Sequence, residues 1–177
     1  MLDRDVSGLL VFAKHEPVGK ALIEQFKVKR PDHIYSAIVA GVIEADEGSF
    51  TSHLAMGKNM VVYSTPPSRH SEEATTHYRV LRRSTDTTLV EAHMDIGKRN
   101  QIRVQFSEAG HPVLGDQRYT PEEATHPRWI RRRIALHASK LTFVHPITQE
   151  PTTYESALPN AMQNFIAGSK KHAKPKA

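Results

Sequence analysis

Cysteine is absent from this chain of 177 residues, which rules out a disulfide framework and any metal site built on thiolates, and fits a reducing compartment. No apolar run approaches the length of a membrane-spanning helix, and no basic, apolar leader opens the chain. These absences predict a soluble, cytoplasmic protein without membrane contact. Histidine is plentiful, at eleven residues, yet His93, His111, His126, His137 and His145 show no close ligand pair such as His-x-x-x-His, so no metal is expected. Gly97-Lys98 lacks the upstream glycine of a phosphate-cradling loop, which sets nucleotide hydrolysis aside. No internal repeat is visible.

What the chain does have is positive charge: 24 Lys and Arg against 19 Asp and Glu, a formal +5. A polyanionic partner such as RNA is thereby favoured. The excess is uneven, with Arg128, Arg131, Arg132, Arg133 and Lys140 gathered around Trp129. Such a cluster is either a solvated face or a set of phosphate contacts. The length suits one domain, assigned to residues 1–168, and a monomer. The segment 169–177, Lys-rich and unable to bury a core, is expected to be a disordered tail.

The pattern of elements predicts an α+β fold with a mixed, largely antiparallel sheet and flanking helices. Leu9–Ala13, apolar on both faces, reads as a strand entered through a turn at Ser7-Gly8. Val18, Leu22 and Phe26 mark a helix over Glu16–Lys29, ended by Arg30-Pro31. Ile34–Val42 reads as a strand, Glu47-Gly48 as lying near a turn before a short strand through Phe50 and Leu54, and His77–Arg82 with Thr88–Met94 as a strand pair. Asn100–Ala109 is helical by pattern, with Ile102, Phe106 and Ala109 on the buried stripe and Arg103 and Ser107 on another face. A loop over Thr120–Pro127, a strand over Ile134–Phe143 and a helix over Pro159–Ile166 complete the chain.

Five segments, in order, carry a family resemblance. Leu2-Asp3-Arg4-Asp5-Val6-Ser7-Gly8-Leu9 resembles the His-Arg-Leu-Asp-Arg-x-Thr/Ser-Gly-Leu segment of RluA-type RNA pseudouridine synthases. Tyr35-Ser36-Ala37-Ile38-Val39-Ala40-Gly41 is similar to the family's Tyr-x-Ala-x-Val-x-Gly strand, and Gly97-Lys98-Arg99-Asn100-Gln101-Ile102-Arg103-Val104 to its Gly-Arg-x-His/Asn-Gln-Ile-Arg-Val helix. Gly110–Asp116 and Leu136–Pro146 follow in the same order. The resemblance covers about residues 2 to 158. It departs from the family where Asn100 and Gln105 stand at positions often held by histidine, and where Gln149 replaces a turn glycine. The catalytic fold it implies lacks its first strands here, so the resemblance implies an N-terminally shortened domain.

The resemblance implies isomerisation of uridine to pseudouridine in ribosomal or transfer RNA, without cofactor. That chemistry needs a carboxylate to act on the sugar, a wall for the freed base and a cation to position the carboxylate. In family terms these are Asp3, Tyr35 and Arg103. An isolated aspartate titrates near ~3.9, so Asp3 meets the need for an ionised carboxylate, and a nearby arginine favours that charge inside a pocket. Arg4, Lys98, Arg99, Asn100, Arg131, Arg132 and Arg133 are the expected RNA contacts. His137 and His145 are expected to make structural hydrogen bonds. One other reading takes Asp3-Arg4-Asp5-Val6 as the Asp-x-Asp core of a haloacid-dehalogenase-like phosphatase, although the apolar strand follows these acids instead of preceding them. The alternative without turnover is a truncated, inactive fragment that still binds RNA.

Overall fold

In the computed structural model, which describes residues 2–28, 32–95, 97–129 and 133–169, the β-branched and aromatic segments condense into a single sheet. Its strands are β1 (Ser7–Gly8), β2 (Asp32–Ala40), β3 (Glu47–Met56), β4 (Val62–Thr65), β5 (Ser71–Arg83), β6 (Thr87–Met94), β7 (Leu136–Val144) and β8 (Pro151–Glu155). They lie in the order β1-β7-β2-β6-β5-β3-β4, with β8 also beside β7. Only β1 with β7 is parallel, so the sheet is mixed and largely antiparallel, as the sequence pattern predicts. The helices are α1 (Glu16–Val28), α2 (Gln101–Glu108) and α3 (Asn160–Ala167).

One face of the sheet carries the core. Ile38, Val90, Phe106, Val113 and Leu114 are buried together, and α3 closes the cluster with Met162 and Phe165, the latter edge-on to Trp129 at 5.7 Å. A fully buried phenylalanine such as Phe106 contributes roughly 1.5–3 kcal/mol of transfer free energy. Across β3, β5 and β6 the other side is polar: Thr51 bonds Thr75, His77 stacks on His93, and Arg79 pairs with Glu91. That division leaves α2 lodged on the core face, against β3, β4 and β5.

Several expectations need correcting. Residues 9–14 do not form a strand. Leu9 donates its N–H to the Ala138 carbonyl, and Leu9 and Val11 pack on Leu22, Leu141 and Phe143. On the outward side nothing among the described residues covers the segment, and Leu10 and Phe12 stand 45% and 81% exposed. A strand apolar on both faces needs neighbours on both sides. Glu47-Gly48 itself belongs to β3, with the expected turn as a bend at Ala45 and Asp46 just before it, and the Tyr78 ring lies over Gly48 where a Cβ would come within 2.6 Å of its hydroxyl. The α2 stripe is also wrong: Ala109 is exposed, whereas Gln101, Arg103 and Gln105 are buried with Ile102 and Phe106. Polar side chains enter this core because they find partners there. Gln101 donates to the Thr75 carbonyl and the Thr76 hydroxyl, and Gln105 to Ser52 and the Ala74 carbonyl. β4 and β8 escape periodicity because each is a short edge strand.

Candidate active site

Asp3 is placed by a tight turn, in which Val6 N–H reaches the Asp3 carbonyl at 3.2 Å and Asp5 takes φ 68°, a conformation aspartate tolerates. Ser7 and Gly8, expected to be the turn, form β1 beside His137 and Ala138. Gly8 has φ 122°, and a Cβ there would lie 2.3 Å from the Ala138 oxygen, so glycine alone lets the turn dock on β7.

Tyr35 arrives from β2 at a bulge. Ile34 pairs with Lys140 but Tyr35 with Ala138, leaving Ser139 as the extra residue of β7, its hydroxyl donating to the Ile34 carbonyl at 3.2 Å. Bulges re-aim side chains, and this one sits at the cleft. Asn100 and Arg103 arrive from the start of α2, three residues apart and so on one face. Asn100 has φ 56° and makes no side-chain cap, which leaves its amide free to turn outward.

Both side chains converge on one atom. Asn100 Nδ2 donates to Asp3 Oδ2 at 2.5 Å, and Arg103 Nη1 donates to the same oxygen at 3.2 Å. Asp3 Oδ1 receives no donor among the described residues. Arg103 is itself held from behind by buried Asp116, through Nε to Oδ2 at 2.6 Å and Nη2 to Oδ1 at 2.8 Å. Asp116 Oδ1 also accepts the backbone N–H groups of Arg118 and Tyr119. The Tyr119 ring lies 5.2 Å below the guanidinium, and its hydroxyl donates to Asn100 Oδ1 at 3.4 Å. Burial alone would weaken the hold of Arg103 on its proton; Asp116 and Asp3 more than offset this and hold its pKa above the ordinary value.

Burial, with the charge of Asp3 adding to it, pushes the Tyr35 phenol well above the usual range, so it stays protonated at neutral pH. Asp3, Tyr35, Lys98, Arg99, Asn100 and Arg103 line one open cleft of about 1680 Å³. That is more than a single small ligand requires, so it has room for a base with its sugar and phosphate neighbours.

The expected RNA contacts separate. Arg4 lines the cleft beside Asp5 but is 96% exposed, Arg99 is exposed beside the Met60 sulfur, and Arg133 is exposed while its carbonyl accepts the Trp129 indole N–H. Lys98 is paired with Glu72, and Asn100 is spent on Asp3. Arg131, Arg132 and 170–177 lie outside the described residues. Arg128 belongs to the fold: it donates to Ser169 and the Phe165 carbonyl and stacks 4.5 Å over the Phe165 ring. His137 accepts the Ser7 hydroxyl at Nδ1, 2.9 Å away, and holds Ser156 with Nε2, and the His145 Nδ1 accepts the Thr148 N–H. Both histidines make hydrogen bonds within the fold, and neither lines the cleft. Asp116 is the residue missed as a site residue; the available signal was its place at the end of the Gly110–Asp116 segment that resembles the family.

This arrangement has a family. The model of the family described as RNA pseudouridylate synthase matches residues 1–108. The chain is 34% identical over 171 residues to "Uncharacterized RNA pseudouridine synthase YlyB" of Bacillus subtilis, covering 97% of this chain and 55% of that protein. It is 35% identical over 150 residues to "Dual-specificity RNA pseudouridine synthase RluA" of Pasteurella multocida, covering 84% and 67%. The solved structure of human RNA Pseudouridylate Synthase Domain Containing 1 superposes with a TM-score of 0.80 at 21% identity, over 100% of this chain and 74% of that one, which supports the fold. The chain therefore belongs to the RNA pseudouridylate synthase family, in its RluA-type branch, and the phosphatase reading of Asp3 and Asp5 falls. It spans about half the length of several of the curated relatives it matches.

Proposed function

We propose that this chain is an RNA pseudouridine synthase, an isomerase that converts uridine to pseudouridine in structured ribosomal or transfer RNA. The observation that carries this reading is the one-sided grip on Asp3. Two donors fix Oδ2, while Oδ1 is left for the sugar. Oδ1 acts at ribose C1′, either by adding to it or by taking the neighbouring C2′ proton as the N1–C1′ bond breaks. The freed uracil stays against Tyr35, turns, and rejoins C1′ through C5 as the Asp3 oxygen leaves C1′ or hands its proton back to C2′; the C5 proton is then lost and N1 gains one. The atoms balance without a cofactor.

A stacked uridine must first swing out of its helix, at a cost of a few kcal/mol. Arg4, Arg99 and Arg133 are exposed for phosphate contacts that place the RNA without reading its sequence. The chain works as a monomer in the cytoplasm on this reading. The second reading, an RNA-binding fragment without turnover, draws on the exposed Leu10 and Phe12 beside the cleft. The test is pseudouridine formation on bulk ribosomal and transfer RNA by the chain and its Asp3→Asn variant. Product from the wild type, lost in the variant with RNA binding kept, supports the synthase; RNA binding without product from either supports the fragment.

A further inference from the structure

We propose that His33 is a positioning residue that donates its Nδ1–H to the Tyr35 oxygen and so turns the Tyr35 hydroxyl into a donor toward the detached uracil. This rests on the synthase reading above. His33 Nδ1 lies 3.3 Å from the Tyr35 oxygen, with the two rings tilted against each other at 4.6 Å. His33 Nε2 is buried and has no hydrogen-bond partner. Burial lowers the His33 pKa to about 4, so the ring is neutral at physiological pH and carries one proton.

Where that proton sits follows from what each placement leaves unpaired. On Nε2 it would be a buried N–H without an acceptor, the rarer and costlier defect; on Nδ1 it meets the tyrosine oxygen and leaves only a bare lone pair behind. With its oxygen occupied by His33, Tyr35 directs its own O–H away from His33 and into the cleft that both residues line. When N1–C1′ breaks, the bonding pair leaves with uracil, and its negative charge spreads over N1 and the carbonyl oxygens. A neutral O–H donor stabilises that anion, and a donor feeding the tyrosine oxygen strengthens it. Tyr35 keeps its proton throughout this step.

Two measurements test the assignment. Nitrogen-15 NMR of the labelled protein should show His33 with Nδ1 protonated and Nε2 bare; the opposite tautomer overturns the proposal whatever the activity. In turnover of a transcript on which the wild type forms pseudouridine, His33→Leu should lower kcat about tenfold with KM little changed. His33→Gln, which keeps an N–H donor, should recover most of the loss. With 5-fluorouridine in the transcript, whose fluorine disperses the leaving charge, the His33→Leu deficit in first-turnover cleavage should shrink. Unchanged kcat in His33→Leu, a loss confined to KM, or a deficit equal on both nucleotides overturns the inference. A wild type that forms no pseudouridine on any RNA overturns the synthase reading instead, and the tautomer alone then decides the direction of the His33–Tyr35 bond.

Discussion

Arg103 grips Asp116 through two near-parallel N–H···O bonds of 2.6 and 2.8 Å, with both side chains almost wholly buried, and has only Nη1 left for Asp3. The geometry makes Asp116 the anchor and Arg103 the arm. Removing the anchor leaves a buried guanidinium with half its partners gone, and breaking such a pair costs about 3–5 kcal/mol. Asp116→Ala should therefore lower the urea midpoint by that equivalent and abolish turnover. Asp116→Asn, which keeps one acceptor, should fall between. A midpoint unchanged in Asp116→Ala would refute the anchor.

Asn100 supplies the other donor to Asp3, and it cannot titrate. Asn100→Asp would set a second carboxylate at the position now 2.5 Å from Asp3 Oδ2. Two carboxylates that close cannot both ionise easily, so the shared pKa of the pair must rise. The acid limb of the kcat profile should then move to higher pH by about a unit or more, with activity at neutral pH reduced severalfold. Asn100→Ala, which removes a donor to the carboxylate without adding a charge, should lower kcat and move that limb in the same direction but by less. A limb that stays in place in Asn100→Asp would show that Asn100 does not face the reactive carboxylate.

The candidate site was legible through the resemblance, because Asp3, Tyr35 and Arg103 each lie in one of the family's ordered segments, whereas the local pattern around each fits ordinary turn, packing or surface roles equally well. Asp3 precedes a Ser-Gly pair, Tyr35 starts an aliphatic strand, and Arg103 stands three residues after Asn100 on a helix. What periodicity could not show was long-range. Asp116 lies thirteen residues beyond Arg103, and no spacing rule predicts that a loop carboxylate turns back under a helix. The burial of Gln101 and Gln105 was hidden for the same reason, since their partners are backbone carbonyls on β5. Leu9–Ala13 went the other way: its β propensity is real, but a strand is a pairwise object and its outer side finds no partner among the described residues. Gln149, standing where the family places a turn glycine, has φ 61°, so the backbone keeps the glycine-like conformation after the side chain has changed.

Two histidines, one half-buried and one buried, set an acid limit on stability. His33 has its pKa lowered to about 4 from 6.5, and that of His137 is lowered too, both chiefly by burial. Below pH 6.5 the unfolded chain binds protons that these folded side chains refuse, so stability falls with pH from there down to the folded values. His33→Gln removes one such site. Its effect on unfolding free energy relative to wild type should shift in the variant's favour by about 1–2 kcal/mol between pH 7 and pH 5. Parallel urea curves at the two pH values check this; an identical difference at both would mean that His33 is protonated in the folded state.

Gly8 links the fold to the chemistry, because β1 is only two residues long and hangs the Asp3 turn on β7. At φ 122°, with the would-be Cβ 2.3 Å from the Ala138 oxygen and 2.4 Å from its nitrogen, Gly8→Ala faces backbone that cannot step aside. The variant must either strain this junction or release β1. Release is the cheaper course, since β1 contributes few of the sheet's bonds while β7 stays paired to β2 and β8. Gly8→Ala should therefore unfold with a modest drop of about 1–3 kcal/mol, yet lose turnover by 100-fold or more, because Asp3 is no longer held against Asn100 and Arg103. Hydrogen exchange should show lost protection at Leu9 N–H, which bonds the Ala138 carbonyl, with β2 and β6 unaffected. Full activity in Gly8→Ala would show that Asp3 finds its place without β1.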